Sequence, residues 1–445
     1  MWTDSFGNPV GLQHAASLAS LNDFADGFVA SEARVGNILD AAAVDEAPLV
    51  QVYAAALHMF AETRSASANA RPFLHRALAS PLAPTARERS FVAAVQAWVD
   101  GDVLRSAGVL EQHLRDFPRD LVALKLAHYH FFNLGDAPAM LRVALAALPA
   151  AADVPYLHGM LAFGWEQCHF LEQAEVSARK AIAMVRKEPW AHHALAHVML
   201  TQGRIREGHA FLADVSDSWV GLNSFMVTHN WWHQALFALE LDRHGEVLAL
   251  YDNQVWGVAK DYSQDEVNAV SLLARLELAG VDVGDRWQDL ADHLLQHLDD
   301  QVLPFLDMQY LYGLARARRP QADQLLRNIE HHAAQVPPAL QHTWQRVCVP
   351  ASRGLLAHAR GDWQRAVDEL GQALPRLTEI GGSHAQRDLF SQVHLDALVR
   401  NDNLVAAQNL LQQHVHSQPE SQRLRRQSAA VYRGLGLDAI AASLE

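Results

Sequence analysis

The feature that most constrains this chain is a period of 34 residues in its first half. The stretch "FVAAVQAWVDGDVLRSAGVLEQHLRDFPRD" has the pattern of two amphipathic helices with Gly101 between them. One step of 34 residues leads to Gly135, and two further steps lead to Gly203; the intervening step falls on His169 in a segment of the same form. A glycine between two helices supplies the left-handed residue that ends the first helix. The period therefore predicts successive helical hairpins in one register.

Small residues recur where the second helix of each hairpin would contact the first, as at Ala174 and Gly208, which are again 34 residues apart. Four regular hairpins are predicted over 87–222, helical hairpins over 1–86, and degenerate and regular hairpins over 223–445. No low-complexity linker divides these segments, and repeat arrays grow in length without splitting into domains. The sequence thus predicts one continuous all-α solenoid of tetratricopeptide-like antiparallel helix pairs, curved into a right-handed superhelix.

Composition excludes several classes of partner. The formal net charge of −14 argues against a nucleic-acid backbone, because phosphate binding requires a basic face. No run of eighteen apolar residues occurs, so no membrane-spanning segment is expected. The chain has two cysteines, Cys168 and Cys348, and no CxxC motif, which predicts a reducing, cytoplasmic compartment and no thiolate zinc site.

Two helices carry histidine pairs at matching repeat positions. If a first helix begins at Pro189, the positions expected on the concave surface are occupied by Trp190, His193, His197 and Leu200. His229 and His233 follow 36 residues later with the same spacing of four, which places both on one helix face. The preceding unit places Phe163 and Glu166 at corresponding positions. Because neighbouring helices pack roughly 8–10 Å apart, four imidazoles and one carboxylate are predicted to converge on one concave patch.

Three roles for this patch stay open at the level of residues. A His-x₃-His pair on one helix face binds zinc or another divalent metal, and the metal ligands would be His193, His197, His229 and His233, with Glu166 as a further candidate. Without a metal, the same five groups would bind a polar or anionic ligand, or act catalytically by exchanging protons near pH 7. In a purely structural role, each histidine bonds to a neighbour or to water. His192, one residue out of register, is predicted to lie on the surface.

The residues between the second histidine pair divide between packing and binding. Trp231 and Trp232 lie on different helix faces, so one is expected in the core and the other to stack on a ligand. Asn230 is equally suited to bonding a backbone or a ligand. The predicted ligand-binding residues of this region are Phe163, Trp190, Asn230 and Trp232.

The stretch "IGGSHAQRD" has a structural explanation and an unexplained remainder. Ser383 and Gln386 form a capping box, in which each side chain bonds the other residue's backbone N–H. That explanation leaves His384, Arg387 and Asp388, three ionisable groups in the first turn of the predicted helix. A helix N-terminus favours an anion, and Arg387 would add a bidentate clamp. In a strongly curved solenoid these three residues would face the histidine patch, and they are predicted to bind the ligand.

The remaining charged groups fit helix ends. Asp265 and Glu266 begin another predicted helix, where acidic groups suit the helix dipole. The motifs GxxxxGK[ST], GxSxG and HExxH and the dinucleotide fingerprint do not occur in the sequence, which disfavours the enzyme classes that use them.

Three longer stretches, "EPWAHHALAHVMLTQGRIREGHAFL", "THNWWHQALFALELDRHGEVLALYD" and "EIGGSHAQRDLFSQVHLDAL", resemble tetratricopeptide repeat protein 38 and its bacterial relatives. The likeness runs over most of 120–415 and is most specific at HNWWH and GGSHAQRD. It implies a tetratricopeptide-type solenoid and no particular reaction. One departure is visible, because the relatives often carry Asp-x-His where this chain has Asp307, Met308 and Gln309. Any role of that histidine is lost or has moved in this chain.

The composition of the predicted groove decides between classes of function. A peptide-binding array is expected to line a long groove with Lys, Arg and Asn, whereas this groove offers histidine, tryptophan and apolar residues that suit a closed pocket. We therefore predict a helical-repeat protein that binds a small polar or anionic ligand or a short peptide. A metal-assisted enzyme and a protein–protein interaction scaffold are the alternatives. Zinc or another divalent metal is the one cofactor that the pattern suggests, and the oligomeric state is left open.

Overall fold

The structure, a computed structural model, describes residues 2–415 and 418–444, and most of these residues are helical. A short antiparallel pair of strands, β1 (Trp2–Thr3) and β2 (Pro9–Val10), precedes the helices. This pair lies in the segment that was expected to hold helical hairpins alone. The predicted all-α solenoid of tetratricopeptide-like helix pairs is confirmed.

The helices follow one another through short turns, and consecutive helices pack as pairs. The first half of the chain contains α1 (Ser17–Ala30), α2 (Ile38–Val44), α3 (Pro48–Met59), α4 (Ala66–Leu78), α5 (Ala86–Val99), α6 (Val103–Asp116), α7 (Leu121–Asn133), α8 (Ala137–Ala151), α9 (Pro155–Gln167), α10 (Leu171–Met184), α11 (Pro189–Thr201), α12 (Ile205–Val215) and α13 (Ser224–Glu240). The second half contains α14 (His244–Leu250), α15 (Ser263–Leu278), α16 (Arg286–Leu294), α17 (Pro304–Arg316), α18 (Gln321–Gln335), α19 (Pro338–Thr343), α20 (Val349–Arg360), α21 (Trp363–Ala373), α22 (His384–Arg400), α23 (Leu404–Val415), α24 (Gln422–Gly434) and α25 (Asp438–Leu444).

The chain divides into two compact units. The first unit comprises residues 1–195 and 217–226, and the second comprises residues 196–216 and 227–445. The division falls inside α11 and α13. These bounds differ from the three segments expected from the repeat pattern, and the three-segment division stays a prediction.

Turn residues carry the predicted register. The φ angle is +84° at Gly101, +70° at Gly135 and Gly203, and +60° at His169, so all four steps of the period hold a left-handed residue between two helices. Later helix pairs also have a residue with positive φ in the turn between the two helices, but these residues are 38 to 43 positions apart. They are Asp242, Gly280, Arg318, Gly361 and Asp402. The period is therefore strict in the first half and relaxed in the second, where longer helices such as α15 and α22 occur.

Each unit has its own core. In the first unit, the fully buried Tyr53 stacks on Phe24 at 4.4 Å between ring centres and meets the edge of Phe91 at 5.4 Å. In the second unit, α15, α17 and α20 bury a continuous apolar cluster that includes Leu273 and Tyr310. None of the helices among the described residues is both long and apolar enough to span a bilayer.

Gly208 allows α12 to approach α13 closely. A Cβ at this position would lie 2.2 Å from the ring of the buried Phe237. We expect Gly208→Ala to lower the free energy of unfolding by about 1–3 kcal/mol through overpacking, although alanine has the higher helix propensity. Gly108→Ala on α6 is the matched control, because no heavy atom lies within 4 Å of its added Cβ. The control should be neutral or stabilising by up to about 1 kcal/mol in urea denaturation; the reverse order of the two variants would contradict this packing.

Candidate ligand-binding site

In the first unit, α9 and α11 place three predicted residues in mutual contact. The ring centres of Phe163 and His193 lie 5.0 Å apart, and those of Trp190 and His193 lie 5.2 Å apart in a perpendicular arrangement. Phe163 and His193 are both buried, at 5% and 2% exposure. The indole N–H of Trp190 donates to Ser31 Oγ at 2.8 Å, which fixes the ring. The helix starts at Pro155 and Pro189 that set this register are confirmed.

Sequence reasoning missed two ionisable residues beside this aromatic group. Glu188 is fully buried, accepts a hydrogen bond from the Ala191 backbone N–H, and has its pKa raised by burial to about 8. The glycine at position 159 makes room for it, since a Cβ there would lie 2.5 Å from Glu188 Oε2. Lys125 Nζ lies 3.6 Å from the centre of the Trp190 ring, and burial lowers the pKa of its amine. The small residue Gly159 at a concave repeat position was the available signal.

Glu166 is also buried completely. The amide Nε2 of Gln167 donates to Glu166 Oε2 at 2.5 Å, within α9. A carboxylate this deep requires polar partners, because burying an uncompensated charge is costly. Its role in binding or catalysis stays a prediction.

In the second unit, three histidines form a compact group, which we call the histidine cluster: His197, His229 and His233. The ring centres of His197 and His233 are 4.5 Å apart, and those of His229 and His233 are 4.9 Å apart. All three are at most 2% exposed. Ring nitrogens of His229 and His233 lie within 4.8 Å of each other. His229 and His233, the predicted pair, therefore lie on one face of α13, and His197 of α11 packs against this pair.

A hydrogen-bond chain sets the tautomer of His229. The carboxylate of Asp265 accepts from Thr228 Oγ1 at 2.5 Å, so the Thr228 oxygen accepts from Asn268 Nδ2 at 3.5 Å. The Asn268 Oδ1 atom then accepts from His229 Nδ1 at 3.0 Å. Because Nδ1 carries the proton, Nε2 carries the lone pair. Burial lowers the pKa of His229 to about 3, which keeps the ring neutral.

Arg275 connects α13 to the GGSHAQRD helix, and sequence reasoning missed it. Its guanidinium, 1% exposed, lies 5.5 Å from the centre of the Trp232 ring, and Trp232 stacks on His229 at 5.2 Å. On the other side it donates to the Ala385 carbonyl at 2.7 Å and lies 3.7 Å from Asp388. Burial lowers its pKa to about 10, so Arg275 is charged at neutral pH. The signal in the sequence was one arginine within the apolar run "VSLLARLELAG".

The start of α22 has the predicted capping box, with Ser383 Oγ accepting from the Gln386 N–H at 3.3 Å and Gln386 Oε1 accepting from the Ser383 N–H at 2.8 Å. Arg387 donates to the carbonyls of the two preceding glycines and lies 3.3 Å from His384 Nδ1. Its guanidinium therefore braces the turn. Asp388 accepts from Gln392 at 2.5 Å and approaches Arg275. Ligand binding by His384, Arg387 and Asp388 stays a prediction.

One expectation is wrong. His192 was expected on the surface, but it is fully buried and accepts from the Trp219 indole N–H at 3.2 Å, because the helix packs on both sides. Asp265 and Glu266 lie in the first turn of α15, as the sequence predicted, and both are fully buried. Asp265 ends the hydrogen-bond chain to His229, and Glu266 contacts His297 at 2.7 Å. The repeat period in the sequence does not show which faces of α11 and α15 are buried by neighbouring helices.

Asn230 and Trp232 lie deep in the second unit. One of the two tryptophans was expected in the core, and the structure places Trp232, the one assigned to ligand binding, at 0% exposure, while Trp231 is partly buried. Asn230 is also at 0% exposure, and neither atom of its amide has a hydrogen-bond partner among residues 2–415 and 418–444. An unsatisfied buried polar group costs about 1–3 kcal/mol, so such a group marks a place where a polar partner would bind.

The fold and this cluster define the chain as a tetratricopeptide-like helical-repeat protein with a buried, histidine-rich polar centre. No protein-family model matches the chain. Similar solved structures include the human IFIT1 dimer with m7Gppp-AAAA (10% identity, 81% of this chain and 88% of that chain, TM-score 0.39). Naa15/Naa10 bound to HypK-THB is also similar, with 11% identity over 97% of this chain and 68% of that chain and a TM-score of 0.25. The TPR domain of P58(IPK) has 11% identity over 81% of this chain and 91% of that chain, with a TM-score of 0.23. At these identities and scores, the likenesses carry no argument about ligand or activity.

Proposed function

We propose that this chain is a ligand-binding helical-repeat protein, that the histidine cluster is its site, and that the ligand is a divalent transition-metal ion of the zinc class. The hydrogen-bond chain that ends at His229 carries this proposal. It leaves the ring neutral, with a lone pair on Nε2. The unprotonated nitrogen of a neutral imidazole binds a metal ion or accepts a hydrogen bond from a donor group, and it does not attract an anion. Among the predicted ligand classes, the anionic one is therefore the least favoured.

The surroundings of the cluster support a metal ion. Metal-binding histidines typically donate their second ring N–H to an acceptor that fixes the ring, as Asn268 Oδ1 does for His229 at 3.0 Å. His197 and His233 supply two further imidazoles in ring contact. Three protein nitrogens and a fourth, open position are typical of catalytic zinc.

Calorimetric titration of chelator-treated protein with Zn²⁺ tests the proposal. We expect one high-affinity site per chain, and Asn268→Leu should weaken the affinity roughly 10–100-fold, because it removes the acceptor that orients His229, together with the donor to Thr228, and leaves the three imidazoles in place. His331→Gln, at an exposed position bonded to Gln335, is the matched control and should bind as the wild type does.

The metal site is overturned if the wild type shows no saturable zinc binding, or if the wild type and Asn268→Leu bind zinc with equal affinity. Circular dichroism of each variant shows whether a loss of binding reflects unfolding. If His331→Gln weakens binding as much as Asn268→Leu, the heat comes from scattered surface histidines and the proposal fails.

A small polar molecule with hydrogen-bond donors is the second candidate. The amide of Asn230, buried and without a partner in the described part of the chain, favours it, because an organic ligand would satisfy a donor and an acceptor together. The zinc titration separates the two candidates, since this one requires no metal. Metal-assisted catalysis by the cluster with Glu166, a scaffold role, cytoplasmic localisation and membership in the tetratricopeptide repeat protein 38 family stay proposals.

A further inference from the structure

A second polar site lies in the second unit, apart from the residues of the histidine cluster. A cavity of about 210 Å³ is bounded by α15, α17, α20, α21 and α22. The side chains that matter for its chemistry are Tyr312, Arg316, His358, Trp363, Asp396 and Arg400. The sequence patterns gave no reason to group them, because they come from four different helices.

Three of these side chains form a directed hydrogen-bond relay. The Asp396 carboxylate lies 2.9 Å from His358 Nε2, and this contact lowers the pKa of Asp396 against the opposing effect of burial. An ionised carboxylate only accepts, so Nε2 donates and Nδ1 carries the lone pair. The Tyr312 hydroxyl lies 3.0 Å from Nδ1 and therefore donates to it. Hydroxyl, imidazole base and orienting carboxylate stand in the order of a nucleophilic triad.

Two guanidinium groups border this triad. Arg400 Nε donates to Asp396 at 2.8 Å and its guanidinium lies 5.0 Å from the centre of the Trp363 ring. Arg316 pairs with Glu277 at 2.6 Å. Since each arginine is already balanced by a carboxylate, the cavity has no excess positive charge for an anion. This balance favours a neutral substrate that develops negative charge only during the reaction, where guanidinium groups stabilise an oxyanion.

We propose that the Tyr312–His358–Asp396 triad hydrolyses esters of small carboxylic acids, with Tyr312 as the nucleophile. The phenol oxygen bonds to the acyl carbon as the proton passes to His358 Nδ1, and the ester C–O bond then breaks as that proton passes to the leaving alcohol. Water next attacks the acyl-tyrosine, His358 takes the proton of the water, and the Tyr312–acyl bond breaks with return of that proton to the phenol oxygen. The net reaction converts ester and water to acid and alcohol.

Hydrolysis of p-nitrophenyl acetate by the full chain tests this proposal. We expect a rate above buffer and an intact protein that carries one acetyl group on Tyr312 after rapid acid quench. Tyr312→Phe and His358→Gln should each lose about 10²–10⁴-fold in rate, since each removes one member of a unit that acts together. Asp396→Asn should lower the rate and shift its pH profile, because it removes the group that sets the tautomer.

Tyr432→Phe is the matched control, since Tyr432 bonds Gln408 on α23 and does not border the cavity. It should keep the wild-type rate. The proposal fails if the wild type shows no rate above buffer, if Tyr312→Phe keeps the wild-type rate, or if the acetyl group resides on another residue. Circular dichroism identifies a misfolded variant; if Tyr312→Phe is misfolded, the acetylation site of the wild type and the rate of the folded His358→Gln protein decide the question.

Discussion

Replacing Arg87 by methionine is expected to lower the free energy of unfolding by about 3–5 kcal/mol, which is the cost of leaving buried charges unpaired. Arg87 Nη1 lies 2.6 Å from Asp120 and its Nη2 lies 3.7 Å from Asp4, with all three side chains at most 3% exposed. Arg87 also donates to the Pro9 carbonyl at 3.3 Å. The residue thus joins the N-terminal strands to α5 and to Asp120, the N-cap of α7.

Arg71→Met is the matched control for this variant. Its ion pair with Asp100, at 3.0 Å, has both side chains about half exposed and should contribute at most about 1 kcal/mol. Urea denaturation followed by circular dichroism measures both variants. If Arg87→Met and Arg71→Met unfold at the same urea concentration, the buried network does not stabilise the fold as argued.

Acidification is expected to unfold this protein well above the pH at which its carboxylates titrate. Burial lowers the pKa of His128 and His130 to about 3 and of His192 to about 4. Below the unfolded-state pKa of about 6.5, the unfolded chain binds protons that the folded state excludes, so stability falls as pH falls. Glu188, with its pKa raised to about 8, acts in the opposite direction between pH 8 and 4.5.

His128, His130 and His192 lower the stability as the pH falls, and Glu188 alone opposes them. The free energy of unfolding of the first unit should therefore fall by roughly 3 kcal/mol for each pH unit of acidification between about pH 6.5 and 4.5. Urea denaturation at several pH values measures this slope. His128→Leu should reduce the slope by about 1.4 kcal/mol per pH unit, whereas the exposed His331→Leu should leave it unchanged. A stability that stays constant from pH 7 to pH 5 would contradict the buried, neutral state of these rings.

The 34-residue period was sufficient to predict the helical hairpins of 87–222, because a turn residue such as Gly135 acts through its own backbone conformation. The longer intervals after Gly203 were harder to predict, since a turn residue such as Asp242 is not glycine and lacks a local signal. The strands β1 and β2 were missed for a different reason. Two-residue strands have no periodicity, and that segment is fixed through the Pro9 and Phe6 carbonyls by Arg87 on α5 and by Arg119 in the turn between α6 and α7.

The candidate site was predictable in part. The spacing of His229 and His233 placed both on one face of α13, and their contact follows from helix geometry. Asn268 and Arg275 could not be predicted, because they belong to α15 and act across helix interfaces at 30 or more residues' distance in sequence. The register also gave no information on burial, which is why His192 was assigned to the surface.

The sequence by itself determined the repeat, the helix starts at Pro155 and Pro189, and the face on which each histidine lies, because these depend on interactions within about one turn. The tertiary structure alone decided which polar groups are buried together, since that depends on helices distant in sequence. The tautomer of His229 is set by a chain that runs through Asn268 and Thr228 to Asp265. The relay from Asp396 to Tyr312 has the same origin: its members are far apart in sequence and adjacent only in the packed array.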